Sequence, residues 1–422
     1  MPQFSELKKI NWFQMIALIG GGGVIYMIPY MKGFFYDTMI STLHLTNLQL
    51  GQLASLYGFV SMIGYFPGGW LADRLPARYL VSFSLILTGA CGFYYATIPS
   101  FAMLMVIHAI MGAAATLIFW CAMIKAARLC GPEEVQGRIF SLLETGRMVL
   151  SGAIAAIAIW AFSFGTTDLF KFRNALYVFA FGCILFGVLS FICLDSGVSK
   201  DDKETGKEVK GAFKMAFTNP TVWYLSGIIF FSYTAFLLSD YLTPYTTSVY
   251  GMSASAAATL GLLRKYLFGP AGAMGAGAIA DRTSVSGVMA IGFVLMAICF
   301  AIFALLPGSP ALLVMMIILT ACLIISVFSL RGIYFALFEE GAVPVVATGV
   351  AAGIASAIGY SSDAFIWTWA GNILDTYPGQ KGYTIIFAAC VVCSVAGFLC
   401  VLLFRKTVLA RKKIQQPAEM AA

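Results

Sequence analysis

Long apolar runs separated by short polar turns fill this chain from end to end, each run about 20 residues or more and so long enough to cross a bilayer core. None shows the two-residue alternation of a membrane barrel strand. Lipid offers no hydrogen-bond partners to an open backbone, so runs of this length predict helices. Twelve are predicted: 12–39, 47–72, 78–98, 101–127, 135–163 and 174–194, then 221–247, 254–280, 285–306, 311–338, 345–373 and 382–404. They are called spans 1 to 12 below. The only long hydrophilic run, Leu194 to Lys214, divides them six and six. The pattern therefore predicts an all-α membrane protein of twelve transmembrane helices in two pseudo-symmetric six-helix halves. The first half covers 1–194, a cytoplasmic linker 195–219, the second half 220–405 and a cytoplasmic tail 406–422.

Composition agrees with this reading. Of the 422 residues 60% are hydrophobic and only 11% charged, against roughly 25% charged in soluble domains. The net charge of +7 could suggest nucleic acid, but its placement argues for topology. Of the 26 Lys and Arg, 18 fall on the side that holds the linker and both ends of the chain; only Lys171, Arg173 and Lys381 fall on the other. By the positive-inside rule the termini and linker are expected in the cytoplasm, with the protein multi-pass in the cell membrane. The first apolar run is too long for a signal-peptide core and is expected to stay as span 1. Two histidines, His44 and His108, cannot build a metal or Ser/His/Asp site, and the Cys390/Cys393 pair lies in an apolar run without nearby His. No cofactor, metal or enzymatic activity is expected, and no nucleic acid.

One short motif repeats. Gly69 to Arg78 reads GWLADRLPAR and Gly277 to Arg282 reads GAIADR, with Asp73 and Asp281 set 208 residues apart. With twelve spans and a central linker, this duplicated loop after the second helix of each half resembles the major facilitator superfamily, whose loop follows a G-x-L-A-D-R-x-G-R-R pattern. Gly69, Leu71, Ala72, Asp73, Arg74 and Arg78 match it, while Pro76 and Ala77 depart and the second copy lacks the trailing basic residue. The resemblance implies a monomeric carrier with its solute site between the halves, working by alternating access. A carboxylate at a cytoplasmic helix end can sit on the positive N-terminus of a helix from the opposite half. Asp73 on span 11 and Asp281 on span 5, with Arg74, Arg78 and Arg282, would then form a gating latch; the simpler reading is a solvated loop of topological value only.

Ionisable residues inside spans are costly and usually face a partner or a pathway. They are Lys32 (span 1), Glu144 and Arg147 (span 5), Asp240 (span 7), Arg264 and Lys265 (span 8), Arg331 (span 10) and Asp363 (span 11). Lys32 and Asp240 share the 208-residue offset of the loop motifs, so they hold equivalent positions of opposite charge, paired directly or through a solute, or else reaching separately to water. Around them Tyr26, Tyr30, Tyr36, Tyr241 and Tyr245 suit a polar organic solute. Glu144 and Arg147, three apart, share one helix face as either a static ion pair or part of an anion site. Lys265 is expected to point about 100° away from Arg264. Asp363 follows Tyr360 deep in span 11, and Arg331 with Glu339 and Glu340 reads as a boundary or gate element.

Within the superfamily the nearest likeness is to the organophosphate:phosphate antiporter branch. Asp73 to Arg78 is similar to its D-R-x-N-[PA]-R loop, Lys125 stands near an arginine of that branch, and Arg147 stands where it carries a substrate-site histidine. Lys32 falls close to its span 1 arginine, but its span 7 arginine has no counterpart: Ala235 or Phe236 occupies the position. The expected function is secondary transport of a small polar organic solute, an organic anion or acidic sugar derivative, coupled to a proton or a counter-anion. The alternative is proton-coupled symport of a neutral sugar or nucleoside. Lys32, Arg147 and Arg264 with Tyr26, Tyr30, Tyr241 and Tyr360 are the expected solute contacts; Glu144, Asp240 and Asp363 are the expected coupling groups. No GxxxxGK[ST] loop for nucleotide appears.

Overall fold

A computed structural model describes residues 10–132, 135–195, 215–343 and 345–419; the side chains of Phe66, Asp73, Pro310, 345–350 and 411–419 are outside that description. Helix fills all twelve expected spans, and no strand occurs among the described residues. Among the described residues eight helical segments, the shortest being Ala77–Tyr95, are long and apolar enough to cross a membrane by themselves. Their outer faces carry large exposed apolar side chains, such as Phe181, Leu305, Val314 and Val392. Surfaces of this kind belong against lipid.

Six spans are single helices. Span 2 (Asn47–Arg74) starts from a capping box in which the Thr46 hydroxyl and the Gln49 side chain satisfy each other's backbone N–H. Spans 3, 5, 6, 9 and 12 are Ala77–Tyr95, Gln136–Ser163, Asp168–Cys193, Val285–Leu305 and Gln380–Glu419. Two boundaries move from their expected places. Span 6, capped by Thr167, starts at Asp168, six residues before the expected start, taking in Lys171 and Arg173, and span 12 runs on through the expected tail to Glu419.

The other six are interrupted. Span 1 stops after Trp12–Val24, where Pro29 lacks an N–H to continue the ladder, and restarts as Lys32–Leu43. Span 4 contains a π-helical stretch, Ala113–Trp120, and span 8 another, Arg264–Phe268. Tight 3-10 turns break span 7 at Ser239–Tyr241, span 10 at Tyr334–Ala336 and span 11 at Ser361–Ala364. Such departures free backbone groups and re-aim side chains, and they cluster at functional positions in membrane helices. Here five of the six fall beside charged residues: Lys32, Asp240, Arg264 with Lys265, Arg331 and Asp363.

The chain divides into two compact units. The first contains Met1–Asp201, Met252–Leu262 and Trp367–Asn372; the second contains Asp202–Gly251, Leu263–Ile366 and Ile373–Ala422. Two pieces of the second sequence half thus pack with the first unit. The Trp367–Asn372 piece lies so close to span 2 that a Cβ on Gly51 would meet the Trp367 carbonyl, and one on Gly371 the Asn47 carbonyl. The Thr368 N–H donates to Ser55 Oγ at 3.1 Å.

Candidate functional site

In the first unit, Lys32 is 4% exposed and its ammonium lies over the indole of the buried Trp367. That contact lets a cation shed water against the electron-rich ring face. His108 lies within Coulombic reach of it; its Nδ1 donates to the Leu104 carbonyl at 2.9 Å and its ring stands 5.7 Å from that of Tyr95. Tyr30 packs edge-on to Tyr57 at 5.3 Å, and the Tyr36 hydroxyl donates to Asn47 at 2.8 Å.

Arg147 occupies a second place in the same unit. Its Nε donates to the Gly22 carbonyl at 3.2 Å and its terminal nitrogen to Glu144 at 2.6 Å. The guanidinium stands 5.2 Å from the Trp120 ring and 6.0 Å from that of Tyr26. The run Gly20 to Gly23 makes this possible: a Cβ on Gly22 would sit 2.6 Å from Arg147 Cδ. One residue on, Ser151 Oγ donates to the Gly23 carbonyl at 2.7 Å. Spans 1 and 5 are thereby fastened through backbone oxygens. Glu144 remains 58% exposed, so its pairing adds little stability of its own.

The second unit concentrates charge instead. Asp240, in the 3-10 turn of span 7, accepts from Arg264 at 2.9 Å through Oδ1 and from Lys265 at 3.0 Å through Oδ2. Arg264 is fully buried and also donates to the Ser239 carbonyl at 2.7 Å. Lys265 does not point away from its neighbour, as a regular helix predicts. The wider π-helical turn Arg264–Phe268 changes the rotation between consecutive residues, and both cations reach one carboxylate.

Arg331 approaches from span 10. Its guanidinium lies 3.8 Å from the ring centroid of Phe236, 5.5 Å from Tyr233 and 5.6 Å from Phe328, within Coulombic reach of Lys265. It forms no ion pair among the described residues. Beside this shelf the Tyr233 hydroxyl donates to Asp363 at 3.4 Å, its ring packs on Tyr360 at 4.8 Å, and the hydroxyls of Tyr334 and Tyr360 are 2.7 Å apart. Tyr241 is buried in the 3-10 turn with Asp240.

The loop residues separate. Glu340 leaves Arg331 and accepts from the backbone N–H and hydroxyl of Ser286 in the first turn of span 9, where the helix dipole favours an anion. Glu339, Asp281 and Arg282 are exposed. Arg74 lies on Trp70 at 4.1 Å and Arg78 on Phe191 at 4.5 Å. Lys125 donates to the Ala72 carbonyl at 2.8 Å, inside the repeated motif. Residue 344 and the side chains of Asp73 and 345–350, which a latch to span 11 would join, lie outside the described residues. Cys390 is buried, and the described residues include no group of three or more His, Cys, Asp or Glu able to hold a metal.

Trp120, Trp367 and Tyr334 were not among the residues expected from sequence, and Lys265 was expected only as a charge pointing away from Arg264. A usable signal existed for two of them: Tyr334 follows Arg331 by three positions and Trp367 follows Asp363 by four, one turn along the same spans.

The sequence model of the Major Facilitator Superfamily matches residues 13–366. Inner membrane protein YihN of Escherichia coli (strain K12) is 28% identical over 419 residues, covering 98% of this chain and 100% of that protein. Inner membrane protein YqcE of the same organism is 27% identical over 386 residues, covering 88% and 89%. Among solved structures, a bacterial homolog to the human lysosomal transporter Spinster, in an inward-facing and unoccupied conformation, aligns with a TM-score of 0.70 at 15% identity, covering 96% and 97%. The nucleoside transporter NupG aligns with a TM-score of 0.68 at 15% identity, covering 94% and 100%. At such identities the two structures share the fold with this chain and carry no further inference.

Proposed function

Because the chain belongs to the Major Facilitator Superfamily, and so is a multi-pass inner-membrane secondary transporter of a small solute, we propose that its solute is an organic anion, most simply a hydroxylated one such as an acidic sugar derivative. The observation that carries this reading is Arg331, a guanidinium inside a span with aromatic rings around it and no carboxylate in ion-pair contact among the described residues. A charge held there without a counter-ion is expensive. An acid group on the solute would supply the missing anion, and a guanidinium fork suits its oxygens. The likeness to the organophosphate branch supports the same reading. That branch carries an arginine on span 7 where this chain has Ala235 or Phe236, and here Arg331 comes from span 10 to lie over Phe236.

Tyr233, Tyr334 and Tyr360 stand beside it with hydroxyls suited to a polyol, and Asp363 is held by the first of them. Lys32 adds positive potential in the other unit. Arg147 is better suited to bracing spans 1 and 5 than to gripping solute, since Gly22 and Glu144 occupy two of its nitrogens. Cytoplasmic termini, transport by alternating access and a latch at Asp73 and Asp281 complete the proposal. One observation favours the second reading, a neutral sugar or nucleoside carried with a proton: Asp240 already holds two cations and Glu144 a third.

A thermal-shift panel on detergent-purified protein separates the two. Phosphate, sulfonate and carboxylate compounds would be compared with uncharged sugars and nucleosides, on wild type and Arg331→Gln. The anion reading expects one acid class to stabilise the wild type and to lose most of its effect in the variant. Stabilisation by neutral polyols alone would transfer the assignment to the second reading.

A further inference from the structure

The two cations on Asp240 are not equivalent. Arg264 is fixed: 2% exposed, it spends its fork on Asp240 and on the Ser239 carbonyl. Lys265 has the flexible stem, is 15% exposed, and lies within Coulombic reach of Arg331, which forms no ion pair among the described residues. Like charges within that reach repel each other, and a solute anion bound by both would relieve that repulsion. The anion would compete with Asp240 Oδ2 for the Lys265 ammonium.

The geometry points to Lys265 as an exchangeable counter-ion: an acidic solute draws it off Asp240, a proton replaces it on the carboxylate, and solute and proton are carried together. This rests on the anion reading above and adds the coupling to it. The proton comes from water onto Oδ2, Lys265 keeps its own three, and Arg264 stays on Oδ1. Solute and proton then enter as a pair that changes the charge of the site little. By linkage each tightens the binding of the other by the same factor. Among the described residues of this unit, other ionisable groups near the turn include Arg331 on span 10 and Asp363 on span 11, both against Tyr233 of span 7, and Tyr241 within the turn itself. None of these others makes an ion pair with Asp240. A carboxylate that keeps a hydroxyl donor, as Asp363 does, has less to gain from a proton than one that has just lost a cation.

Proton uptake on binding tests this directly. Purified protein in weakly buffered detergent, with a pH indicator, is given D-glucuronate, glycerol 3-phosphate or methanesulfonate, one probe for each acid class; binding is followed separately by thermal shift. The expected result is uptake of about one proton per anion bound near neutral pH. In Asp240→Asn, which mimics the protonated carboxylate and keeps an oxygen for Arg264, uptake disappears and the anion binds about tenfold tighter, independent of pH. In Lys265→Met, which leaves the Asp240–Arg264 pair intact should the first variant fold poorly, binding weakens and uptake again disappears. Anion binding without proton uptake, or uptake that survives in both variants, overturns the coupling role and leaves the anion reading standing. If none of the three anions binds the wild type, the anion reading falls and this inference with it.

Discussion

In the first unit the Lys32 ammonium lies over an indole ring, and Arg147 is held by a backbone carbonyl and an exposed glutamate. In the second unit Arg264, Lys265 and Arg331 gather around a single carboxylate and an aromatic shelf. The chemistry on offer is similar, cations inside spans in both cases, but the arrangement differs. A backbone carbonyl holds a cation in place and offers no counter-ion to exchange. A carboxylate shared between two cations, with a third beside it, can lose one of them to an incoming anion. The first unit therefore reads as a braced frame and the second as the reactive one.

The sharpest way to break that contrast is inside the Asp240 network. Arg264→Met removes the buried half of the pair and is expected to cost about 3–5 kcal/mol, seen as lost thermal stability in detergent, whereas Lys265→Met should cost about 1 kcal/mol. Equal losses would mean that the two cations are interchangeable. In the first unit, Gly22→Val pushes the Arg147 side chain off span 1 and should cost about 1–3 kcal/mol by overpacking. If it is silent in thermal unfolding, the brace between spans 1 and 5 does not exist. Trp367→Leu should cost about 1–2 kcal/mol through the lost cation–π contact. A double-mutant cycle with Lys32→Met should show that loss to be shared between the two residues, and strict additivity would deny the contact. Smallest is Tyr334→Phe, which removes one hydroxyl from the tyrosine pair at about 1 kcal/mol. Its effect should appear as weaker binding of hydroxylated solutes with no change toward a plain sulfonate.

Spans, halves and family could be read from sequence because they follow from run length and a loop motif that occurs twice. The individual charges could be named for the same reason: so few lie in apolar runs that each stands out. Their partners could not be read. The shared 208-residue offset drew attention from Asp240 to Lys32 and gave no hint that two successive residues of span 8 pair with that carboxylate. A regular helix sends such neighbours about 100° apart, and only the π-helical turn, invisible to a fixed period, brings both onto one carboxylate. Arg331 was grouped with Glu339 and Glu340 by proximity in sequence. The 3-10 turn Tyr334–Ala336 falls between them, with Glu340 bonded to Ser286 at the start of span 9 and Arg331 on Phe236. Interruptions of this kind decide which side chains meet, and they are set by packing between helices.

The most direct test of the contrast is calorimetric titration of the acidic solute identified by thermal shift into wild type, Arg331→Gln and Arg147→Gln. The account predicts that Arg331→Gln weakens binding by about 10- to 100-fold, the loss of one charge-assisted hydrogen bond pair, while Arg147→Gln changes affinity by less than about threefold. The opposite ranking, with Arg147 indispensable and Arg331 dispensable, would place the anion in the first unit and contradict the account.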